Sequence, residues 1–268
     1  MESFIIQDLK FFTPIQLGEE RTYAHFDTGA VGNMISKTRA EGLIEIERRT
    51  LEGGMGRQEV RQVRLEALNV LSRSFDHETA VVFDAESYFG ETPFDVAMTL
   101  GASVLLAAPL ILDFKRLWMG FAENPISERL PHIAMDCSTG LPFITLSSQQ
   151  RELHTIFDTG AAFSILNANH VKALGVEVEE IYELEVQDPA GGKGRIPIFR
   201  LESLHIGNVD LGTCEAFAVS LDPIEQRLNR RIDLVLGANT MLASALVWVL
   251  DKTQNALFFS DRDVNVYA

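Results

Sequence analysis

Two aspartates stand in identical surroundings in this chain, within Phe26-Asp27-Thr28-Gly29-Ala30 and again within Phe157-Asp158-Thr159-Gly160-Ala161. A single Asp-Thr-Gly is a common turn, because each of its residues is frequent in turns. Two copies of one five-residue string point instead to a matched pair of carboxylates. At about 3 Å two such groups cannot both stay ionised cheaply, so they are expected to share one proton. The ionised member then takes a proton from a water between them, while the protonated member donates to the carbonyl oxygen of an amide. That is hydrolysis by direct attack of water, with no covalent intermediate, and neither a metal nor a cofactor is expected.

The neighbouring residues fit supporting roles. Hydroxyls on Thr28 and Thr159 are placed to tie each loop to the opposite one and fix the carboxylate directions. Gly29 and Gly160 lack a Cβ, so their amides can come close to the carboxylates. Gly53-Gly54-Met55-Gly56-Arg57 and Gly191-Gly192-Lys193-Gly194-Arg195 share a Gly-Gly-X-Gly-Arg form and read as hairpin tips that close over an extended substrate. Ordinary turns are the plainer reading of these glycines. A phosphate loop is excluded, since no Gly-Lys-Ser or Gly-Lys-Thr ending follows.

The elements that carry these loops also occur twice. Ser3 to Gln16, a turn at Leu17 to Glu20 and Arg21 to Phe26 predict a strand hairpin that ends on Asp27; Ile133 to Leu146 and Glu152 to Phe157 predict another that ends on Asp158. Arg64-Leu65-Glu66-Ala67-Leu68 is echoed by Arg200-Leu201-Glu202-Ser203-Leu204, and Gly101 and Gly237 each follow 37 residues after the leading arginine. Ser36 predicts a short helix through Lys37 to Glu41, Asn167 or Asn169 one through Val171 to Leu174, and Asp222-Pro223-Ile224-Glu225 a well-signalled one with Asp222 as its cap. The region near Asp84 is a less regular counterpart, and Ala102 to Ala108 predicts a short helix ended by Pro109. The aspartates lie 131 positions apart (27 and 158), a period far longer than that of a solenoid. The expected fold is all-β: two homologous β-barrel-like lobes with short helices and pseudo-twofold symmetry, at 1–124 and 132–268, joined by a linker or crossover at 125–131.

Composition removes several function classes. The 268 residues are 46% hydrophobic and 23% charged, as in an ordinary soluble globular chain. A formal net charge of -15 argues against nucleic acid, which requires clustered Lys and Arg. Cys137 and Cys214 are too few for a disulfide scaffold or zinc knuckle, and both are expected to be buried. The six histidines lack ligand spacing and are expected at the surface, core edge or turns; Trp118 and Trp248 are expected in the core. Uncharged runs at Val96 to Leu112 and Leu234 to Leu250 fall short of a membrane span. Glu2, Asp8 and Lys10 do not fit a secretory signal, so a cytoplasmic location is expected.

With both Asp-Thr-Gly-Ala copies in place, the chain resembles the pepsin and retropepsin superfamily of aspartic proteases. Thr99-Leu100-Gly101 and Val235-Leu236-Gly237-Ala238-Asn239 resemble that superfamily's later apolar-apolar-Gly signature, the second more closely. The copies are nearest the retroviral type, while their presence in one chain is similar to the bilobed pepsin arrangement. The resemblance implies Asp27 and Asp158 as catalytic carboxylates, Thr28, Gly29, Thr159 and Gly160 as supports, and Gly53 to Arg57 and Gly191 to Arg195 as two flap tips without a pepsin-like tyrosine. It implies an extended polypeptide as substrate. One chain supplies both aspartates, and a further homodimer is left open. Ala30 and Ala161 stand where pepsin-type enzymes commonly carry a hydroxyl donor, which predicts a raised dyad pKa and activity at about pH 5 to 7. The competing expectation is a peptide-binding or structural protein that keeps the fold without turnover. A glycosidase would also use two carboxylates but would not need two identical loops.

Overall fold

The computed structural model describes residues 1–52, 57–65, 67–124, 126–127, 130–149, 151–170, 178–187 and 193–260. The fold is largely β, in three sheets of six, ten and seven strands. The ten-stranded sheet draws on residues between Ile5 and Leu100, and the seven-stranded sheet on residues between Phe143 and Leu236. The six-stranded sheet mixes the two halves. At its centre, strand Leu110–Asp113 pairs antiparallel with strand Val247–Asp251, in the register Leu110 to Leu250 through Asp113 to Val247. Strands Trp118–Phe121 and Ala256–Ser260 flank them, and Glu2–Ser3 and His132–Ala134 form the edges.

Two turns in this sheet close in the same way. Asp113 Oδ1 accepts from the amides of Lys115 and Arg116 at 3.1 and 2.9 Å, and Asp251 Oδ1 accepts from those of Thr253 and Gln254 at 2.9 and 3.1 Å. Both carboxylates are buried, and these local bonds offset the cost of their desolvation.

The strands that end on the two aspartates are anchored by the aromatic residue just before each. Phe26 is fully buried, stacked on Phe11 at 5.3 Å between ring centroids and edge-on to Phe4 at 5.4 Å. Phe157 is fully buried against Trp248, its ring centroid 5.2 Å away. Full burial of one such ring contributes about 1.5–3 kcal/mol, enough to hold a strand end in one position.

Several expectations need correction. Lys37 to Glu41 forms turns rather than a helix: one Ala40 amide bond to the Ser36 carbonyl closes, and a segment this short cannot recover the cost of nucleation. A helix does form at Ala85–Phe89, capped by Asp84, whose carboxylate accepts from the Ser87 amide. The helix Asp222–Leu228 is entered from Leu221, so Asp222 is its first residue and not its cap. The second short helix expected in the first half is confined to Ala102–Leu105. Trp118 is 43% exposed on its strand, unlike the fully buried Trp248, and His25 is fully buried rather than at an edge or turn. Cys137 and Cys214 are free and buried. The helix expected at Val171 to Leu174 lies outside the described residues. No helix among the described residues is long and apolar enough to cross a membrane.

Candidate active site

Each aspartate leaves a strand held on both sides. Glu20–Phe26 runs antiparallel to Lys10–Leu17 and parallel to Val96–Leu100; Arg151–Phe157 runs antiparallel to Phe143–Ser148 and parallel to Leu234–Leu236. The parallel neighbour fixes the aspartate backbone: the Asp27 amide donates to the Leu100 carbonyl at 2.9 Å, and the Asp158 amide to the Leu236 carbonyl at 3.0 Å. The loop's far side is held as well, by the Ala102 amide on the Ala30 carbonyl at 2.7 Å and the Ala238 amide on the Ala161 carbonyl at 2.8 Å.

The two loops meet through their threonines. Thr28 Oγ1 donates to the Phe157 carbonyl at 2.7 Å and accepts from the Thr159 amide at 3.0 Å. Thr159 Oγ1 donates to the Phe26 carbonyl at 3.0 Å and accepts from the Thr28 amide at 3.0 Å. Both side chains are fully buried, so this reciprocal set is shielded from competing water.

The glycines face the opposing carboxyls. A Cβ added to Gly29 would lie 2.2 Å from the Asp158 carboxyl, and one added to Gly160 would lie 2.1 Å from that of Asp27. No real side chain tolerates such a contact, so Gly29→Ala or Gly160→Ala must push the carboxyls apart. Displacement on this scale is expected to lower any dyad-dependent rate by about 100-fold. Steady-state kinetics of the two folded variants check this.

The carboxyl groups of Asp27 and Asp158 lie close enough to interact directly, within residues that are each half-buried as a whole. Asp158 Oδ1 also accepts from the Gly160 and Ala161 amides at 2.8 and 3.2 Å, and Asp27 accepts from those of Gly29 and Ala30. Removal from water, followed by the charge of Asp158 beside it, holds Asp27 well above the usual carboxylate range. Burial also raises Asp158, opposed by the hydrogen bonds it accepts from Asp27 and from the loop amides. The pair therefore retains a proton to higher pH than an isolated carboxylate and titrates as a unit.

All six core residues read from the sequence, Asp27, Thr28, Gly29, Asp158, Thr159 and Gly160, thus come together. Gly53, Gly54, Met55, Gly56, Gly191 and Gly192 lie outside the described residues. The strands that lead to them are paired antiparallel: Glu45–Glu52 with Arg57–Arg64 up to Glu52 opposite Arg57, and Val178–Gln187 with Lys193–Ile206 up to Gln187 opposite Lys193. Lys193 and Gly194 begin the latter strand. Among the described residues, no group of three or more His, Cys, Asp or Glu is placed to hold a metal ion.

Sequence reading missed two further supports. Asn33 Oδ1 accepts from the Gly101 amide and Ser164 Oγ accepts from the Gly237 amide, each at 3.0 Å. Both brace the turn that follows a parallel neighbour of an aspartate strand. The signal was available, since positions 33 and 164 carry short polar residues at the same 131-residue spacing as the aspartates.

Residues 144–241 match the family described as gag-polyprotein putative aspartyl protease. The match includes Asp158, Thr159, Gly160 and Gly237 and leaves Asp27 outside it. No curated protein matches the chain. The matched stretch therefore gives the second loop a retropepsin-like aspartic-protease context, and the geometry sets an identical loop against it.

Proposed function

We propose that this chain is an aspartic endopeptidase whose dyad is Asp27 and Asp158, supplied by two homologous lobes at 1–124 and 132–268 that are related by an approximate twofold axis. The observation that carries the reading is the mutual approach of the loops, in which each glycine packs against the opposing carboxyl. Equivalent hydrogen bonds at Asp27 and Asp158, at Ala102 and Ala238, and at Asn33 and Ser164 support the duplication. So does the central pairing of Leu110–Asp113 with Val247–Asp251.

In this mechanism a water lies between the carboxyls. The ionised carboxylate takes one proton from it as its oxygen bonds to the scissile carbonyl carbon, and the protonated partner donates to the carbonyl oxygen. The tetrahedral intermediate then collapses: the C–N bond breaks, the nitrogen receives a proton from the dyad, and the hydroxyl proton returns to it. Thr28 and Thr159 hold the loops rigid, and the loop amides stabilise negative charge on the carboxylates. The two hairpins are proposed to cover an extended polypeptide.

Because the reactive form carries one proton, rate is expected to follow a bell-shaped pH profile whose alkaline limb is displaced above the ordinary carboxylate range, with activity at about pH 5 to 7. Hydrolysis in the presence of hydroxylamine at the optimum tests the chemistry. Direct attack leaves no trappable acyl-enzyme. A covalent adduct captured by hydroxylamine would contradict it, and folded protein that holds peptide without cutting would support a binding role instead.

A further inference from the structure

The two halves of the site differ in the sheet face beside each aspartate. Sheet register makes the comparison direct. His25, two residues before Asp27, pairs with Phe12 on one side and Thr99 on the other; Ile156, two residues before Asp158, pairs with Phe143 and Val235. Two residues upstream of the phenylalanines stand Lys10, at the start of its strand, and Leu141, just before its own. Leu141, Phe143, Ile156 and Val235 form one wholly apolar cluster beneath the helix Asp222–Leu228. At the matching positions the first half has Lys10, Phe12, His25 and Thr99.

These polar groups sit in apolar surroundings. His25 and Thr99 are both fully buried, and neither imidazole nitrogen of His25 nor Thr99 Oγ1 has a hydrogen-bond partner among the described residues. Phe12, Tyr88 and Phe89 surround the imidazole, with ring centroids at 5.6, 6.4 and 5.3 Å. Burial, and secondarily the Lys10 charge, push its pKa down to about 3, so the ring is neutral and offers one N–H. Lys10 Nζ lies 5.5 Å from the centroid of the Tyr88 ring, beside this group. Buried polar groups are normally paired, and each unpaired one carries a penalty that the apolar residues at 156 and 235 avoid. The first half thus keeps three donors beside Asp27 where the second half shows that the fold accepts none.

We propose that the Asp27 side of the site selects a substrate side chain with a hydrogen-bond-accepting carbonyl or carboxylate, of the glutamine or glutamate class, while the Asp158 side selects an apolar one. The inference rests on the endopeptidase reading, since it assigns a substrate class to that same site. The accepting group pairs with the His25 N–H and the Thr99 hydroxyl, and Lys10 favours an anionic occupant. Entry requires the Tyr88 and Phe89 rings to move aside. Their five-residue helix is followed by Gly90 at φ +68°, ψ −157°, a backbone state confined almost to glycine and suited to a hinge.

The test compares peptides cut by the wild-type chain with peptides captured from the same library by Asp158→Asn, each with and without His25→Ile plus Thr99→Val. About tenfold enrichment of Gln or Glu at one position, on one side of the cut only, is expected. It should fall below about twofold in the double variant, which then favours apolar residues on both sides. Equal enrichment of Gln and Glu supports pairing with His25 and Thr99 alone, and a Glu excess lost in Lys10→Leu supports the charge preference as well. Absence of the enrichment, or its persistence in the double variant, overturns the inference. If the wild type does not cut, the endopeptidase reading falls and the captured peptides still decide the selectivity. Should the double variant not fold, Thr99→Val alone, nearly equal in volume, replaces it.

Discussion

Asp27→Asn is expected to lower peptide-bond hydrolysis by about 10⁴-fold or more while the chain stays folded. Asparagine preserves the shape but neither accepts the water's proton nor shares an acidic one with Asp158. The same substitution has a second, opposite signature in stability. The folded-state pKa of Asp27 lies above its unfolded value, so the group's favourable contribution is complete below the ordinary carboxylate range and is lost as pH rises through the folded value. The wild type sheds that contribution as pH rises, whereas the Asp27→Asn variant has no carboxyl proton to lose at this position. Urea unfolding between pH 4 and 8 should therefore show wild-type stability falling more steeply with pH than that of the variant. A variant destabilised most at high pH would contradict the assigned direction.

Thr28→Val is expected to cost about 2–5 kcal/mol of stability. Valine fills the space but leaves the Phe157 carbonyl and the Thr159 amide, both now paired with Thr28 Oγ1, without that partner in a buried interface. Thr28→Ser restores both bonds and should lie within about 1 kcal/mol of wild type. Denaturant midpoints for the pair check this, and rate should follow the same order because the threonine hydrogen bonds set the distance between the carboxyls. Equal loss in the Ser and Val variants would mean that the methyl group, not the hydroxyl, holds the loops together.

The core of the site was legible because its chemistry is local: Asp, Thr and Gly act within one turn, so a repeated string identifies both halves of the pair. The β-rich class was also legible, since the strands that end on Phe26 and Phe157 are bounded by clear turns. What lay beyond reading depends on register and on contacts distant in sequence. Nothing within Leu110 to Asp113 indicates that its partner is Val247 to Asp251. Asn33 and Ser164 look like ordinary strand-end residues until their acceptors meet the amides of Gly101 and Gly237. His25 lies in a mixed polar and apolar strand, and only the packing of Phe12, Phe89 and Tyr88 makes it the most deeply buried kind of histidine. The helix expected after Ser36 shows the reverse error, in which good capping chemistry at a short segment yields no more than a turn.

Cleavage mapping by mass spectrometry tests whether the Asp27 and Asp158 pair cuts peptide bonds. An unfolded peptide library is incubated with the wild-type chain and with Asp158→Asn, both verified as folded, across pH 4 to 8. Specific cuts that are strongest at mildly acidic to neutral pH in the wild type and absent in the variant are the expected result. Identical cutting by both proteins, or none by either, would contradict a dyad-dependent protease.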